Sequence, residues 1–250
     1  MFTFSQQIFD PGMHTYNALY EHDDFMESIN TLVDLGCGSG QDLERWATAT
    51  TRDDGVTPLN IRCVGVDQID TPVVIKKYNN ITYQKTDFEA TVHPLSTKLF
   101  DILWCNNAFQ YCLNPVATLS KWWHIANEGA MIILIVPQTT NFQQKRQAFY
   151  QPSGCYYHHT MISLIHMLAT AGWDCKSGFF VQRPGTTWNH AIAYKSKQKP
   201  MDPKTVTWYQ LQELDMLPDS VCKSVQAHGY PMQQELLLPW LDKSMSWPGQ

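Results

Sequence analysis

A glycine-rich turn flanked by acidic residues carries the clearest chemistry in this sequence. In "LVDLGCGSGQDLE" three glycines alternate at Gly36, Gly38 and Gly40, after a short apolar run that contains Asp34. Glycine lets a ligand approach the backbone closely and permits positive φ angles. A helix that follows such a turn offers free N–H groups to a polar or anionic group. We therefore expect a ligand at this turn, with Cys37 as a small residue beside it.

The residue types in this turn narrow the class of ligand. A dinucleotide-binding turn needs a glycine where this chain has Gln41, and a P-loop needs a closing Gly-Lys-Ser/Thr. The turn has no Lys or Arg to balance a triphosphate, and Asp34 precedes it. A ligand with an ammonium group and a sugar diol fits these residues better than a polyphosphate.

Polar residues also end three further apolar runs. Asp67 stands where a carboxylate can accept hydrogen bonds from both hydroxyls of a ribose, and Asp70 is the competing candidate. Asp87 could accept from the exocyclic amine of adenine, and Phe88 could flank the ring or belong to the core. Asn106 can offer amide or backbone groups to an amino acid portion.

The predicted elements bring these residues to one edge of a sheet. The predicted strands are Thr31–Leu35, Ile61–Val66, Ile81–Lys85, Asp101–Cys105, Ala130–Val136, and two within Cys175–Gln182 and Trp188–Lys195. The predicted helices between them are Gln41–Ala49, Val73–Tyr78, Val116–Ala126 and Thr160–Ala171. Near-continuous apolar strands that alternate with helices predict a parallel sheet covered on both faces. The link between the last two strands is too short for a helix, so those strands should form an antiparallel hairpin.

Two segments flank this predicted core of residues 31–196. Residues 1–30 should contain a cap helix, roughly His14 to Ile29, which could lie over the open edge of the site. Residues 197–250 are rich in proline and read as a helical appendage, with Asp219 as N-cap of a helix that ends at Gly229. A partly disordered tail is the alternative for this last segment.

Composition limits the partners and the location. The chain has 250 residues and a net charge of −5, so a general affinity for nucleic acid or for a membrane surface is not indicated. We find no signal peptide, and the most apolar stretch, Ala130 to Pro137, is too short to span a membrane. Seven cysteines without C-x-x-C spacing indicate reduced thiols in a cytoplasmic protein, and no metal site is expected.

With these motifs in place, the sequence resembles the class I S-adenosylmethionine-dependent methyltransferases. "LVDLGCGSG" resembles their first motif, Asp67 their acidic ribose position, and "FDILWCNNAFQYCLNP" their fourth motif. "IANEGAMIILIVP" and "LIHMLATAGWDC" resemble their fifth-strand entry and the helix before the last hairpin. The resemblance covers about Thr31 to Lys195 and is closest to the small-molecule branch around the trans-aconitate and malonyl-carrier-protein methyltransferases. The turn Asn127 to Ala130 departs from the family in lacking its proline and double glycine.

The resemblance implies a Rossmann-like α/β fold, S-adenosylmethionine as cofactor and S-adenosylhomocysteine as product. The expected cofactor-binding residues are Asp34, Gly36, Cys37, Gly38, Gly40, Asp67, Gln68, Asp87, Phe88, Asn106 and Gln110.

The acceptor side is less defined by the sequence. His14, Tyr16, Tyr111 and His158 are the candidates for substrate binding, and His159 and Tyr111 are the candidates for catalysis. A base is needed only if the acceptor carries a proton at neutral pH. We expect methyl transfer to an oxygen or nitrogen of a small molecule by a monomer or homodimer. The alternatives are a catalytically silent cofactor-binding partner protein and an enzyme that acts on tRNA or protein.

Overall fold

The structure is a computed structural model, and it describes residues 10–21, 23–51, 53–90, 99–137, 156–157, 159–182 and 188–231. One predicted site residue, His158, lies outside these ranges.

A seven-stranded sheet forms the centre of the molecule. Its strands are β1 Thr31–Leu35, β2 Arg62–Asp67, β3 Ile81–Lys85, β4 Phe100–Asn106, β5 Ala126–Pro137, β6 Trp173–Gln182 and β7 Trp188–Lys195. The spatial order is β3-β2-β1-β4-β5-β7-β6. The pairs among β1 to β5 are parallel, and β7 is antiparallel to both β5 and β6. The predicted fold class is confirmed, although β5 begins four residues earlier than the predicted Ala130.

The helices lie on both faces of this sheet. They are α1 Pro11–Tyr20, α2 Asp23–Ser28, α3 Gln41–Ala47, α4 Pro115–His124, α5 Met161–Thr170, α6 Trp208–Glu213 and α7 Asp219–His228. Short 3-10 turns cover Val73–Lys77, Phe88–Ala90 and Phe109–Tyr111. The first of these turns replaces the predicted helix Val73–Tyr78.

Alternate residues of the strands supply two separate cores, because successive side chains of a strand point to opposite faces. Ile133 and Ile135 of β5 belong to a core that contains Trp46 of α3 and residues of α1. Leu134 of β5 belongs to the other core, which contains Trp122 of α4 and residues of α5, α6 and α7.

The N-terminal region differs from the single helix predicted over His14 to Ile29. It forms two helices, and the first begins earlier because Asp10 caps it and Pro11 occupies the first helical position. The carboxylate of Asp10 accepts a hydrogen bond from the backbone N–H of Met13 at 2.9 Å.

The C-terminal helices pack on the core. A capping box between Thr207 and Gln210 begins α6, and α7 ends at Gly229, whose φ is 79°. Leu217, between the two helices, is buried in the core. Asp219, predicted as an N-cap, is instead the first helical residue, since Pro218 occupies the capping position. The division of the chain at residues 31 and 197 stays a prediction.

Candidate active site

The glycine turn passes between β2 and the residues that follow β4. The backbone N–H groups of Gly36 and Cys37 both donate to the carbonyl of Val66, at 2.8 and 3.1 Å. Gly36 has a φ of +83°, and a Cβ at this position would collide with the Cβ of Ala108. The turn therefore needs glycine at Gly36 for both conformation and space.

A cavity of about 530 Å³ opens at the carboxyl ends of β1 and β4, beside this turn. Its lining residues are Asp10, Pro11, Asp34, Gly36, Cys37, Gly38, Ser39, Gln41, Asp42, Arg45, Asn106 and Asn107. Five of the predicted cofactor-binding residues line it, namely Asp34, Gly36, Cys37, Gly38 and Asn106. The edge where parallel strands end is where α/β sheets bind ligands.

Asp34 gives the cavity its electrostatic character. Its side chain is buried, and burial raises its pKa well above the usual value, helped by the nearby carboxylates of Asp42 and Asp67. A positive group of a ligand would favour the charged form of Asp34. Burial also raises the pKa of the Cys37 thiol, with Asp34 and Asp67 adding to the effect. Cys37 is therefore a protonated, unreactive thiol in the cavity wall.

Asp42 is the centre of a hydrogen-bond network in the wall of the cavity. Its carboxylate accepts from the Nε1 of Trp104 at 2.9 Å and from the Nδ2 of Asn106 at 2.8 Å. Arg45, one turn along α3, forms ion pairs with both Asp42 and Asp10. The single positive charge of Arg45 is therefore shared by two carboxylates.

This network brings the start of α1 against the cavity. A Cβ at Gly12 would collide with the Nδ2 of Asn106 and would lie 2.8 Å from both carboxylate oxygens of Asp42. Sequence reasoning missed this contribution of α1. The available signal was the Asp-Pro-Gly run at positions 10–12, which is typical of a helix start but does not show where the helix packs.

Asp67 lies behind the turn and outside the lining of the cavity. Its carboxylate accepts from the backbone N–H of Gly38 at 2.8 Å and from that of Gln68 at 2.7 Å. Each carboxylate oxygen has lone pairs left for a further donor. The competing Asp70 is exposed and pairs with Lys85, at 2.6 Å between Nζ and Oδ1. The structure thus places Asp67, and not Asp70, against the glycine turn.

Asp87 and Phe88 follow β3, and Phe88 lies near the same turn. The carboxylate of Asp87 accepts from the backbone N–H of Glu89 at 2.8 Å. A Cβ at Gly36 would lie 3.8 Å from the Cδ1 of Phe88, and the ring of Phe88 lies 6.1 Å from that of Trp122. Phe88 therefore borders both the turn and the core.

The predicted catalytic residues lie beyond the cavity, after β4 and before α5. His159 is buried, and its ring stacks on Phe109 at 5.3 Å and on Tyr157 at 6.0 Å. Gln110 is buried, and its Nε2 donates to the backbone carbonyl of Asn107 at 3.0 Å. Tyr111 is 42% exposed, so much of its ring faces solvent.

The two substrate-binding candidates on α1, His14 and Tyr16, have different neighbours. The ring of His14 meets that of His190 edge to face at 6.3 Å. Tyr16 packs against Trp46 of α3 at 5.0 Å and stacks on Tyr20, and it is not one of the lining residues of the cavity. Burial raises the pKa of Tyr16 to about 12; Tyr20 adds to this shift, and the positive charge of Arg45 opposes it. The substrate role predicted for Tyr16 stays a prediction.

Two further properties bear on the class of protein. No group of three or more His, Cys, Asp or Glu side chains in the described ranges could hold a metal ion. Within the same residues, every helix is too short or too polar to cross a membrane.

Residues 33–134 match the profile of a family described as "Methyltransferase domain". Residues 33–134 therefore belong to a methyltransferase domain. The strand order described above agrees with this match, which confirms the prediction of an S-adenosylmethionine-dependent methyltransferase with S-adenosylmethionine as cofactor. A search of curated protein sequences finds no match to the chain.

Several solved structures with a similar fold are described as methyltransferases. N-methyltransferase NodS from Bradyrhizobium japonicum WM9, in complex with S-adenosylhomocysteine, has a TM-score of 0.54 and 12% identity over 75% of this chain and 89% of that chain. The 1,6-didemethyltoxoflavin-N1-methyltransferase of Burkholderia thailandensis has a TM-score of 0.53 and 14% identity over 75% of this chain and 79% of that chain. An O-methyltransferase family protein of the same organism has a TM-score of 0.55 and 11% identity over 75% of this chain and 57% of that chain. At these identities the likeness shows the fold of the methyltransferase domain alone.

Proposed function

We propose that this methyltransferase transfers a methyl group from S-adenosylmethionine to an oxygen or nitrogen of a small molecule. The observation that carries the proposal is the cavity at the carboxyl ends of β1 and β4, where the buried carboxylate of Asp34 has a raised pKa. A ligand with an ammonium and a sulfonium group suits this wall, because among its described lining residues the carboxylates of Asp10, Asp34 and Asp42 outnumber the guanidinium of Arg45. The similar N-methyltransferase of Burkholderia thailandensis was solved with its small-molecule substrate, which supports the acceptor class.

The residues around the cavity suggest how the cofactor is held. In our proposal Asp34 and Asn106 take the amino acid end, and the glycine turn lies against the adjoining chain of the cofactor. Asp67, held against Gly38, takes the ribose hydroxyls, and Asp87 and Phe88 take the adenine. When bound, the cofactor supplies an electrophilic methyl carbon. The protein's part is to align the acceptor with that carbon and to exclude water, an effect worth roughly 7–11 kcal/mol in well-oriented reactions.

The test begins with titration calorimetry of S-adenosylhomocysteine against the full chain. Incubation with S-adenosylmethionine and a panel of small amines, alcohols, phenols and carboxylates follows, with release of S-adenosylhomocysteine as the readout. We expect binding of S-adenosylhomocysteine, and turnover of at least one compound class.

Asp67→Ala should weaken the binding of S-adenosylhomocysteine by about 1–3 kcal/mol, because the ribose hydroxyls would lose their acceptor. The matched control is Asp70→Ala, in the same loop and pointing to Lys85.

Other results would redirect or reject the proposal. Binding without turnover across the panel would favour a silent partner protein, and turnover only with tRNA or protein would favour a macromolecular substrate. Absence of binding would reject the cofactor site. The cytoplasmic location and the monomeric or dimeric state remain predictions.

A further inference from the structure

Asn107, the residue after β4, has a backbone conformation that is uncommon outside glycine. Its φ is 55°, and it is one of the residues that line the cavity. Asparagine adopts this left-handed conformation more readily than most residues, yet such backbone strain is concentrated at functional positions. The backbone N–H of Asn107 donates to the carbonyl of Ile135 on β5 at 2.8 Å. Because β5 and β1 flank β4 on opposite sides, Asn107 is fixed on the side of the cavity away from the glycine turn.

The side chain of Gln110 holds Asn107 at two points and fixes the orientation of its amide. The Nε2 of Gln110 lies 3.0 Å from the backbone carbonyl oxygen of Asn107 and 2.7 Å from its Oδ1. A carbonyl oxygen can only accept, so the nitrogen end of Gln110 must face Asn107. A donor nitrogen requires in turn that the side-chain atom facing it is an oxygen. The Nδ2 of Asn107 therefore points away from Gln110.

Gln110 is itself held rigidly. It is 1% exposed, and its backbone carbonyl accepts from the N–H groups of Tyr156 and Tyr157 at 3.0 and 3.1 Å. Its Oε1 is buried without a hydrogen-bond partner in the part of the chain that the structure describes. A buried acceptor without a donor lowers stability. The protein thus keeps two unfavourable features, the positive φ of Asn107 and the unsatisfied Oε1 of Gln110, to hold one amide group in a fixed direction.

The Nδ2 of Asn107 is the polar atom that this arrangement leaves for a ligand. The backbone N–H, the backbone carbonyl and the Oδ1 of Asn107 all have partners, whereas its Nδ2 makes no hydrogen bond within the described ranges. Asn107 is exposed and lines the cavity, while Gln110 is not one of the lining residues. An amide nitrogen of this kind is a donor only, so it suits an oxygen atom of a ligand.

The charges around the cavity indicate which kind of oxygen. Among the described lining residues, the carboxylates of Asp10, Asp34 and Asp42 outnumber the guanidinium of Arg45. The cofactor that we propose brings one more carboxylate. A further anion would be repelled by this excess of negative charge, whereas a neutral carbonyl oxygen would not.

We propose that Asn107 is a specificity-determining residue that donates a hydrogen bond from its Nδ2 to a neutral carbonyl oxygen of the methyl acceptor, and that Gln110 is the positioning residue that fixes this donor. The inference rests on the proposed function and deepens it. The acceptor is then a small molecule with an amide, ketone or ester group close to the oxygen or nitrogen that receives the methyl group. Gln110, expected from the sequence to bind the cofactor, acts through Asn107 in this proposal.

The first experiment compares pairs of acceptors that differ mainly by a carbonyl group. The pairs are phenol with salicylamide, aniline with anthranilamide, and propylamine with glycinamide, and salicylate is the anionic comparison. We expect kcat/KM to be about fivefold or more higher for the amide member of a pair that is turned over, because that member gains one hydrogen bond. Salicylate should gain nothing over phenol. Equal kcat/KM within every pair that is turned over would overturn the proposal.

Variants of Asn107 separate this hydrogen bond from the intrinsic reactivity of each compound. Asn107→Asp replaces the Nδ2 donor by an oxygen of similar size, and Gln110 can still donate to the carboxylate. Asn107→Gly keeps the left-handed backbone and removes the side chain. We expect both variants to lose the preference for the amide compound while kcat/KM of its partner compound changes little. An unchanged preference in both variants would contradict the role of Asn107.

Asn60→Asp is the matched control for this change. Asn60 is exposed and has a φ of 53°, close to that of Asn107. It precedes β2, so it lies at the end of the strands opposite to the cavity. The same chemical change in the same backbone conformation should leave the preference for the amide compound as in the wild type.

Gln110→Glu tests the positioning role. A carboxylate cannot donate, so Asn107 should turn its Nδ2 toward position 110 and its Oδ1 toward the cavity. We expect the preference for the amide compound to disappear while S-adenosylhomocysteine still binds, a split that general damage to the fold would not produce. If this variant does not fold, Gln110→Met, which removes the donor without adding charge, takes its place. A preference that survives the loss of the Gln110 donor would overturn the positioning role.

Nitrogen-15 NMR of the side-chain amide of Asn107 needs no turnover. Its signal is assigned by its loss in Asn107→Asp. We expect rapid exchange of the amide protons with solvent in the wild type and slower exchange in Gln110→Glu, where Nδ2 gains a partner. Slow exchange in the wild type would show that Nδ2 already has a partner in the protein and would overturn the orientation.

The same signal separates failure of this proposal from failure of the proposed function. With S-adenosylhomocysteine bound, salicylamide or anthranilamide should shift the Asn107 signal, and phenol or aniline should not. A shift without turnover of any compound would support the carbonyl site while counting against methyl transfer. No shift with any amide compound would overturn the carbonyl site. A wild type that binds no S-adenosylhomocysteine would defeat the proposed function, whereas the exchange measurement still decides whether Gln110 orients Asn107.

Discussion

At the scale of single residues, the charge state of Asp34 affects both the stability of the fold and the binding of ligand. Burial and two neighbouring carboxylates raise its pKa, so its charged form is disfavoured in the ligand-free fold. A group whose folded-state pKa lies above its unfolded value contributes stability at low pH, and that contribution is lost as the pH rises through the folded-state pKa. The ligand that we propose carries a positive charge and reverses this preference.

The variant Asp34→Asn should therefore be more stable without ligand at neutral and alkaline pH and should bind S-adenosylhomocysteine more weakly. Removing a buried charge should raise Tm by about 2–4 °C for each kcal/mol of relieved electrostatic cost. Thermal unfolding of the wild type and the variant from acid to alkaline pH measures the effect. A variant that is less stable than the wild type throughout this range would contradict the role assigned to burial.

Binding itself should release protons from the wild type. Asp34 must ionise to pair with the ammonium group, so affinity should rise with pH until it passes the raised pKa of Asp34. Calorimetry at one pH in two buffers of different ionisation enthalpy counts the protons released. The count should fall toward zero in Asp34→Asn, and an unchanged count would place the ionising group elsewhere.

At the scale of elements, the first helix depends on one glycine for its place on the sheet. Gly12→Ala would push a methyl group into Asn106 and Asp42. Overpacking of this kind costs about 1–3 kcal/mol, and we expect a lower free energy of unfolding together with weaker binding of S-adenosylhomocysteine. Denaturant titration and calorimetry measure the two effects. The control is Met13→Ala on the same helix, where the side chain is 44% exposed and little change is expected.

The sequence located the strand ends better than it located the helix that faces them. Asp34 and Asn106 were predictable because apolar runs and turn residues mark the ends of strands. Asp42 and Arg45 were not predicted, since on a helix an acidic and a basic residue three apart usually form a solvated pair. Here Asp42 is buried and Arg45 is partly buried, because Asp10 at the start of α1 and the side chains of β4 contact them, and no local pattern encodes such tertiary contacts.

At the scale of the whole molecule, the C-terminal helices share the core of the methyltransferase domain. Leu217 is fully buried in the cluster that contains Trp122 of α4. Leu217→Ala should therefore lower the stability of the entire domain by about 2–5 kcal/mol, within a single cooperative transition. Leu214→Ala, at a position 44% exposed in the same segment, is the control. An early, separate transition of α6 and α7 would instead support the predicted boundary near residue 197.

The attachment of α1 has a consequence for the exchange of ligand. Asp10 and Pro11 form part of the cavity wall, yet α1 is tied to its surroundings by side chains such as Arg45 and His190 rather than by a ladder of strand hydrogen bonds. Detachment of this helix would leave the pairing of the seven strands intact. Its amide deuterium uptake should slow when S-adenosylhomocysteine enters the cavity, and the speed of its detachment would then limit how often product leaves.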